Sequence, residues 1–425
     1  MTISKNIEKL LLLFIFLLPL QTRYIILQSV LHDQVWEYLS ISIYFTECIL
    51  WIILLYAFFI IPKAQLSEVW LRKINLKGAV VISMLLLVAL SLFSSIWAIN
   101  AWVSLHWSFR LLEGAALFIV FKTFSISFQK ISYALIASGT MQAAIGTCQV
   151  LFQRVRENKW LGISAQGPYI PGASVVETSS EHILRAYGFF PHPNILAGFL
   201  LVGIFLSFYL YIFSKNRKDR AFFIITFIAQ LFGLLMTFSR AGWLTVGLGF
   251  LFLVLVYWKK RSVRPEIIFI SLVALAVCII FSFIMCEAVS SRISGSQRLE
   301  RKSNIERIQQ AFEAIDVISK NTVLGVGAGN YTLYTNKEKI PVNKQPVHIT
   351  YLLAFAELGF VGIASYILLI FSSLMITLRE KTYIGSVMIL SICVVGFLDH
   401  YYWSLYAGMM IFWVVLAASL TKQKF

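Results

Sequence analysis

Long apolar runs alternate with short polar stretches along the chain, and the runs, of about 16 to 25 residues, cross a hydrocarbon core of roughly 30 Å or come close to it. That pattern predicts helical spans at 9–28, 40–61, 78–98, 104–123, 131–153, 190–213, 221–238, 242–258, 267–286, 348–377, 382–398 and 402–420. The first run, "LLLLFIFLLPL", follows Lys5 and Lys9 as a signal peptide would, but no small-residue cleavage site comes after it, and it reads as a transmembrane helix. The expected fold class is all-α, a polytopic integral membrane protein of about twelve transmembrane helices forming one membrane domain over 1–425.

The polar stretches set the orientation. "LRKINLK", "FKTFSISFQK", "SKNRKDR", "KKRSVR", "LREK" and the tail "TKQKF" are basic, and short basic loops stay in the cytoplasm. Both termini then face the cytoplasm. Residues 221–258 are flanked by basic stretches on both sides, so this run is expected to be a hairpin with Arg240 at its outer tip. Two outer loops are long, 154–189 and 287–347, and long loops in compact proteins usually carry function. In the second, Ile305, Ile308, Phe312, Ile315 and Ile318 follow helical spacing among charges, which predicts an amphipathic helix over 304–319 at the outer surface.

Composition confirms the class and removes others. The chain is 59% hydrophobic with a mean hydropathy of +0.80, far from a soluble domain. Its net charge of +16 sits in the loops between spans, so it reports orientation and implies no nucleic-acid partner. Cys48, Cys148, Cys278, Cys286 and Cys393 lie in or beside apolar segments without a CxxC pattern, and read as packing residues.

Against this background a few ionisable groups stand out, because a charge in hydrocarbon costs at least a few kcal/mol. His348 opens the span "HITYLLAFAELGF" at the outer interface, where an imidazole with a pKa near 6.5 suits a general base; a satisfied structural histidine is the plain alternative. Glu357 is nine residues on, roughly 13 Å deeper and near the opposite helix face, and reads as a protonated or hydrogen-bonded carboxyl tying helices together. Arg240 in "TFSRAGWL" offers a planar fork of donors to phosphate oxygens, or snorkels to headgroups. Arg185 precedes "PHPN", where Pro193 favours a helix start whose free N–H groups suit an anion, with Asn194 beside it. Arg110 and Glu113, one turn apart inside the fourth span, either neutralise each other or serve substrate. Asp399 and His400 in "LDHYYW" end the eleventh span, where a carboxylate can orient a histidine.

The chain holds four Asp residues, no D-x-D pair and no carboxylate cluster for a divalent cation, and it lacks GxxxxGK[ST], HExxH and GxSxG patterns. No metal site and no cofactor is expected. Four stretches in order, "RAYGFFPHPNILAGFL" (185–200), "SRAGWL" (239–244), "NIERIQQAFEAIDVISKNTVLGVGAGNY" (304–331) and "HITYLLAFAELGFVG" (348–362), together with "DHYYW", resemble the O-antigen ligase and polymerase family over 185–403.

The resemblance implies a glycosyltransferase of the bacterial inner membrane that takes a glycan from undecaprenyl diphosphate at the outer face, needing no nucleotide sugar, metal or ATP. It implies His348 as the catalytic base and Arg240 and Arg185 as donor-binding arginines; the residues read on their own add Arg110 as a further substrate-binding candidate and Asn194, Glu357, Asp399 and His400 as supporting residues. The partners implied are the lipid-linked glycan donor, membrane lipid, and lipid A-core or a growing glycan as acceptor. Ligase and polymerase share this chemistry and differ in acceptor. A rival from another class is a lipid-glycan or ion transporter, with Arg110, Glu113, Glu357 and Asp399 along its path.

Overall fold

The computed structural model describes residues 2–31, 34–60, 76–295, 297–335 and 345–423. Most of the basic stretch 71–77 and the end of the tail, expected on the cytoplasmic side, lie outside the described residues, as does 336–344 of the second outer loop. The helices are α1 (Thr2–Leu17), α2 (Phe45–Ile60), α3 (Leu76–Ser94), α4 (Ala101–Thr123), α5 (Phe128–Leu151), α6 (Pro193–Phe213), α7 (Arg217–Met236), α8 (Arg240–Trp258), α9 (Arg264–Ile284), α10 (Cys286–Ser294), α11 (Arg298–Lys320), α12 (Tyr331–Thr335), α13 (Thr350–Arg379), α14 (Tyr383–Gly396), α15 (Tyr401–Ser404) and α16 (Tyr406–Ser419).

The protein is an all-α polytopic membrane protein: among the described residues, eight of these helices are long and apolar enough to cross a bilayer. A helix occurs in each of the twelve expected spans, but α1, α2, α14 and α16 are shorter, at 14 to 16 residues. The first expected span, 9–28, is cut short. Its helix ends at Leu17, ahead of Pro19, and the chain turns into strand β1 (Arg23–Leu27). Short strands β2 (Val30–Leu31) and β3 (Gln34–Val35) pair with each other, and β4 (Ile41–Tyr44) runs antiparallel to β1. In the first long loop β5 (Val175–Glu177) and β6 (His182–Leu184) form a second hairpin.

Helix α6 is the core of the bundle, buried along its whole length, whereas α9 exposes most of its surface. Between apolar helices in lipid there is little hydrophobic drive, so close approach and hydrogen bonds do the holding. Ser91 meets Ser108 at 2.7 Å and Ser94 meets Ser104 at 3.0 Å across α3 and α4. Gly198 of α6 lets Tyr401 of α15 lie directly on the helix, since a Cβ there would stand 1.9 Å from the tyrosine hydroxyl. The expected hairpin over 221–258 is two helices, α7 and α8, joined by Thr237–Ser239, with Phe238 at φ +49°.

Helix α13 is not continuous. It breaks at Gly359 (φ +66°, ψ −167°), a conformation open to glycine alone. Its freed backbone groups are taken up by the strap 322–327: Phe360 N–H donates to Thr322 O at 2.8 Å, and Val326 and Gly327 N–H donate to Ala356 and Glu357 carbonyls at 2.9 Å each. Polar contacts also tie the basic helix ends together: Lys77 pairs with Glu380 at 3.1 Å and Arg220 with Glu266 at 3.0 Å. That end of the bundle is opposite the one where α6, α8 and α13 begin.

Candidate functional site

Three helix starts and the amphipathic helix meet at a cleft of about 180 Å³, whose lining includes Arg185, His192, Asn194, Arg240, Arg292, Glu306, Arg307, Gln310 and His348. Helix α6 begins at Pro193, as expected, with His192 as its cap; the His192 ring accepts from Asn194 N–H at 3.2 Å. Accepting requires a neutral ring, and burial, with Arg185 beside it, holds His192 down at about 3. Arg185 is buried and doubly held, donating from Nε to Thr237 O and from Nη2 to Asn194 Oδ1, both at 2.7 Å. Asn194 Nδ2 then donates to Asp399 Oδ2 at 2.7 Å, which completes a fixed chain from arginine through amide to carboxylate.

Arg240 is the first residue of α8, whose cap is Ser239. It is partly exposed, donates to Asn304 Oδ1 at 2.9 Å and lies 3.4 Å from Glu300. Glu300 also pairs with Arg292, so one buried carboxylate aligns two arginines. Four arginines face the cleft, against Glu306 on the lining and Glu300 behind it. This is an anion-binding field with fork-shaped donors that match phosphate oxygens.

His348 lies just before α13 and lines the same cleft; its Nδ1 is 2.7 Å from Gln310 Oε1. Behind it the His400 ring packs edge-on at 5.0 Å and 75°. Burial pushes the His348 pKa below its ordinary value, with Asp399 opposing and Arg307 adding to the shift. The ring is therefore neutral at pH 7, as a proton acceptor must be.

Helix α11 forms one wall. Ile305, Ile308, Phe312 and Ile315 are exposed, while Gln310 on the other side is buried, so the helix turns its polar face to the cleft and its apolar stripe outward. Such a stripe suits hydrocarbon at a membrane surface. The first long loop steadies the helix: Glu177 of β5 accepts from Leu299 N–H at 2.9 Å in its first turn.

Residues 225–367, about a third of the chain, match the family model described as O-antigen ligase. The chain carries an O-antigen ligase family domain. That match supports a ligase- or polymerase-like role in surface-polysaccharide synthesis. No curated protein matches the chain. The O-antigen ligase domain contains Arg240, Arg292, Arg307, Gln310 and His348, while Arg185, Asn194, Asp399 and His400 are contributed from outside its matched bounds.

Of the residues singled out in the sequence, Arg185, Asn194, Arg240 and His348 line one cleft, and Asp399 and His400 stand directly behind it. Arg110 is elsewhere. It donates to Ser42 O at 3.0 Å and lies beside the stacked pair of Tyr44 and Tyr406, 5.4 and 5.5 Å from their ring centres. Nor do Arg110 and Glu113 form a contact pair, because Glu113 accepts from Trp51 Nε1. Glu357 accepts from Trp403 Nε1 at 2.8 Å and ties α13 to α15 beneath the site. The sequence reading did not single out His192, Arg292, Glu300, Arg307 or Gln310. Arg307 and Gln310, three apart on the polar side of a predicted amphipathic helix, left a faint signal, but a polar helix face ordinarily means solvent.

Proposed function

We propose that the protein is a glycosyltransferase that moves a glycan from undecaprenyl diphosphate to an acceptor hydroxyl at the outer face of the bacterial inner membrane. The observation that carries the reading is one cleft lined by a neutral histidine and four arginines. The cleft opens at the helix ends opposite the basic connections, which the positive-inside rule assigns to the cytoplasm, so it faces the periplasm or cell exterior. A lipid diphosphate there keeps its tail in the bilayer and its phosphates among Arg185, Arg240, Arg292 and Arg307.

In the reaction, His348 takes the acceptor's hydroxyl proton as the oxygen attacks C1 of the donor sugar. The C1–O bond to phosphate breaks, its electron pair leaves with undecaprenyl diphosphate, and the configuration at C1 inverts. The arginines stabilise the charge that grows on the leaving group. This charge compensation is built into the chain, and the reaction is expected to proceed without metal.

The test is transfer by purified protein in EDTA from undecaprenyl-diphosphate glycan to lipid A-core or to a growing glycan. The acceptor used decides between ligase and polymerase. His348→Ala is expected to lower the rate about 10²- to 10⁴-fold, and Arg240→Ala to weaken donor use, with both variants folded. Full activity in His348→Ala ends the general-base assignment. No transfer by wild type to any acceptor returns weight to transport, which the positions of Arg110, Glu113 and Glu357 away from the cleft disfavour.

A further inference from the structure

A catalytic histidine needs one ring nitrogen free, and a partner on the other nitrogen usually decides which. The carboxylate that acts most strongly on His348 is Asp399, but its oxygens are engaged: Oδ2 accepts from Asn194 Nδ2 at 2.7 Å and Oδ1 from His400 N–H at 2.8 Å. What meets the ring instead is Gln310, whose Oε1 is 2.7 Å from His348 Nδ1. A carboxamide oxygen has lone pairs and no hydrogen, so this contact is a hydrogen bond only when Nδ1 carries the proton. A neutral imidazole has one ring proton, and Nε2 is then the basic nitrogen.

We propose that Gln310 is a positioning residue of this site: its carboxamide oxygen holds His348 in the Nδ1–H tautomer and leaves Nε2 to accept the proton of the acceptor hydroxyl. The assignment rests on the transferase reading and deepens it. Two further observations support it. Gln310 is 3% exposed although it lies on the polar side of a helix whose apolar side faces out, so the helix is turned to bring this amide inward. The His400 ring, edge-on at 5.0 Å, fixes the plane of the His348 imidazole from behind, so that two neighbours define its orientation.

A neutral amide in this place has a chemical advantage over the carboxylate of a Ser–His–Asp arrangement. The groups facing His348 are Glu306 and Arg307 from α11, Asp399 and His400 from the turn before α15, and His192 from the start of α6, with Arg185, Arg240 and Arg292 across the cleft. A carboxylate on Nδ1 would favour the imidazolium and raise the pKa toward neutrality, lowering the fraction of free base. Gln310 sets the tautomer without adding charge. When Nε2 takes the proton, Nδ1–H still donates to the same oxygen, so the ring keeps its position through the step.

The experiment uses full-length protein with ¹⁵N-labelled histidine in nanodiscs. With six histidines in the chain, the His348 signals are assigned by their loss in His348→Asn. At pH 8, wild type is expected to show a protonated Nδ1 and an unprotonated Nε2, and Gln310→Leu a mixture of tautomers. In the transfer assay Gln310→Leu is expected to lower kcat about 10- to 100-fold, the usual cost of an outer hydrogen-bond partner, with donor KM unchanged. Gln310→Glu is expected to keep the Nδ1–H tautomer, regain rate above its acid limb, and move that limb up by about one unit or more. An Nε2–H tautomer in wild type, or a Gln310→Leu variant with wild-type tautomer and kcat, overturns the proposal. Should Gln310→Leu fail to fold, the direction of the acid limb in Gln310→Glu decides, an unmoved limb counting against. The tautomer is read without substrate, so absence of transfer by wild type refutes the transferase reading and leaves the Gln310 result standing on its own.

Discussion

Replacing Gly359 by alanine tests whether the break in α13 is what brings Gln310 and His348 together. The strap 322–327 follows the helix that carries Gln310, and it is fastened at the break to the helix that His348 precedes. At φ +66° and ψ −167° an alanine is strained by about 1 to 3 kcal/mol. Its Cβ would also stand 2.1 Å from the Val323 carbonyl oxygen, a backbone atom that has no rotamer to escape through. The strap must therefore lift. That puts at risk the three hydrogen bonds at Phe360, Val326 and Gly327, each worth about 1 kcal/mol net. The sum is about 4 to 6 kcal/mol. For a chain longer than 250 residues each kcal/mol moves the melting midpoint by about 2 °C or less, so the expected loss is roughly 5 to 10 °C in a detergent melting experiment. Gly247→Ala is the control, since a Cβ there meets nothing within 4 Å and the site is mid-helix. It should be neutral or stabilising. Transfer by Gly359→Ala, measured below its midpoint, is expected to fall in kcat because Gln310 and His348 lose register. A midpoint and rate equal to wild type would show that the chain at 359 does not need a glycine conformation, and the strap argument would fail.

Three further outcomes follow from the same geometry. As the proposed base, His348 would act only when neutral, and burial lowers its pKa, so kcat/KM should hold at pH 7 and be lost as pH falls through a midpoint below 6.5; an acid limb above 6.5 would contradict the burial argument. Asn194→Leu leaves Arg185 Nη2 and Asp399 Oδ2 without their shared amide. Thermal melting should show a loss of about 2 to 4 kcal/mol, with a rise in donor KM as Arg185 loses its anchor. Arg110→Met removes a charge held by Ser42 O and two tyrosine rings away from the cleft, so kcat and KM should match wild type while the melting midpoint falls; a raised donor KM would return Arg110 to the donor site.

The sequence made the spans legible because a bilayer imposes a length and a polarity on every crossing segment. It exposed Arg185, Asn194, Arg240 and His348 because each sits at a helix start or in the stretch leading into one, and helix starts are written in short stretches: Pro193 after a capping His192, Ser239 before Arg240. Their meeting at one cleft was not legible, since it depends on how α6, α8 and α13 pack. Arg110 and Glu113 misled for the opposite reason. Spacing of one turn allows a pair, but β4 and α2, more than 50 residues earlier in the chain, supply Ser42 and Trp51 as their hydrogen-bond partners instead.

Helix α11 was foreseen as a helix and missed as a source of site residues, and the cause is its surroundings. Beside water, an amphipathic helix buries its apolar stripe and discards its polar face to solvent. Beside lipid the same sequence is stable the other way round, with Ile305, Ile308, Phe312 and Ile315 outward and Arg307 and Gln310 inward. The proposed transfer from a charged lipid headgroup would use such a wall, since it calls for polar contacts beside a surface that stays apolar toward lipid. The polar residues of an interfacial helix next to a cationic cleft are thus the first place to look for groups that orient the base, and Gln310 is where that search ends in this chain.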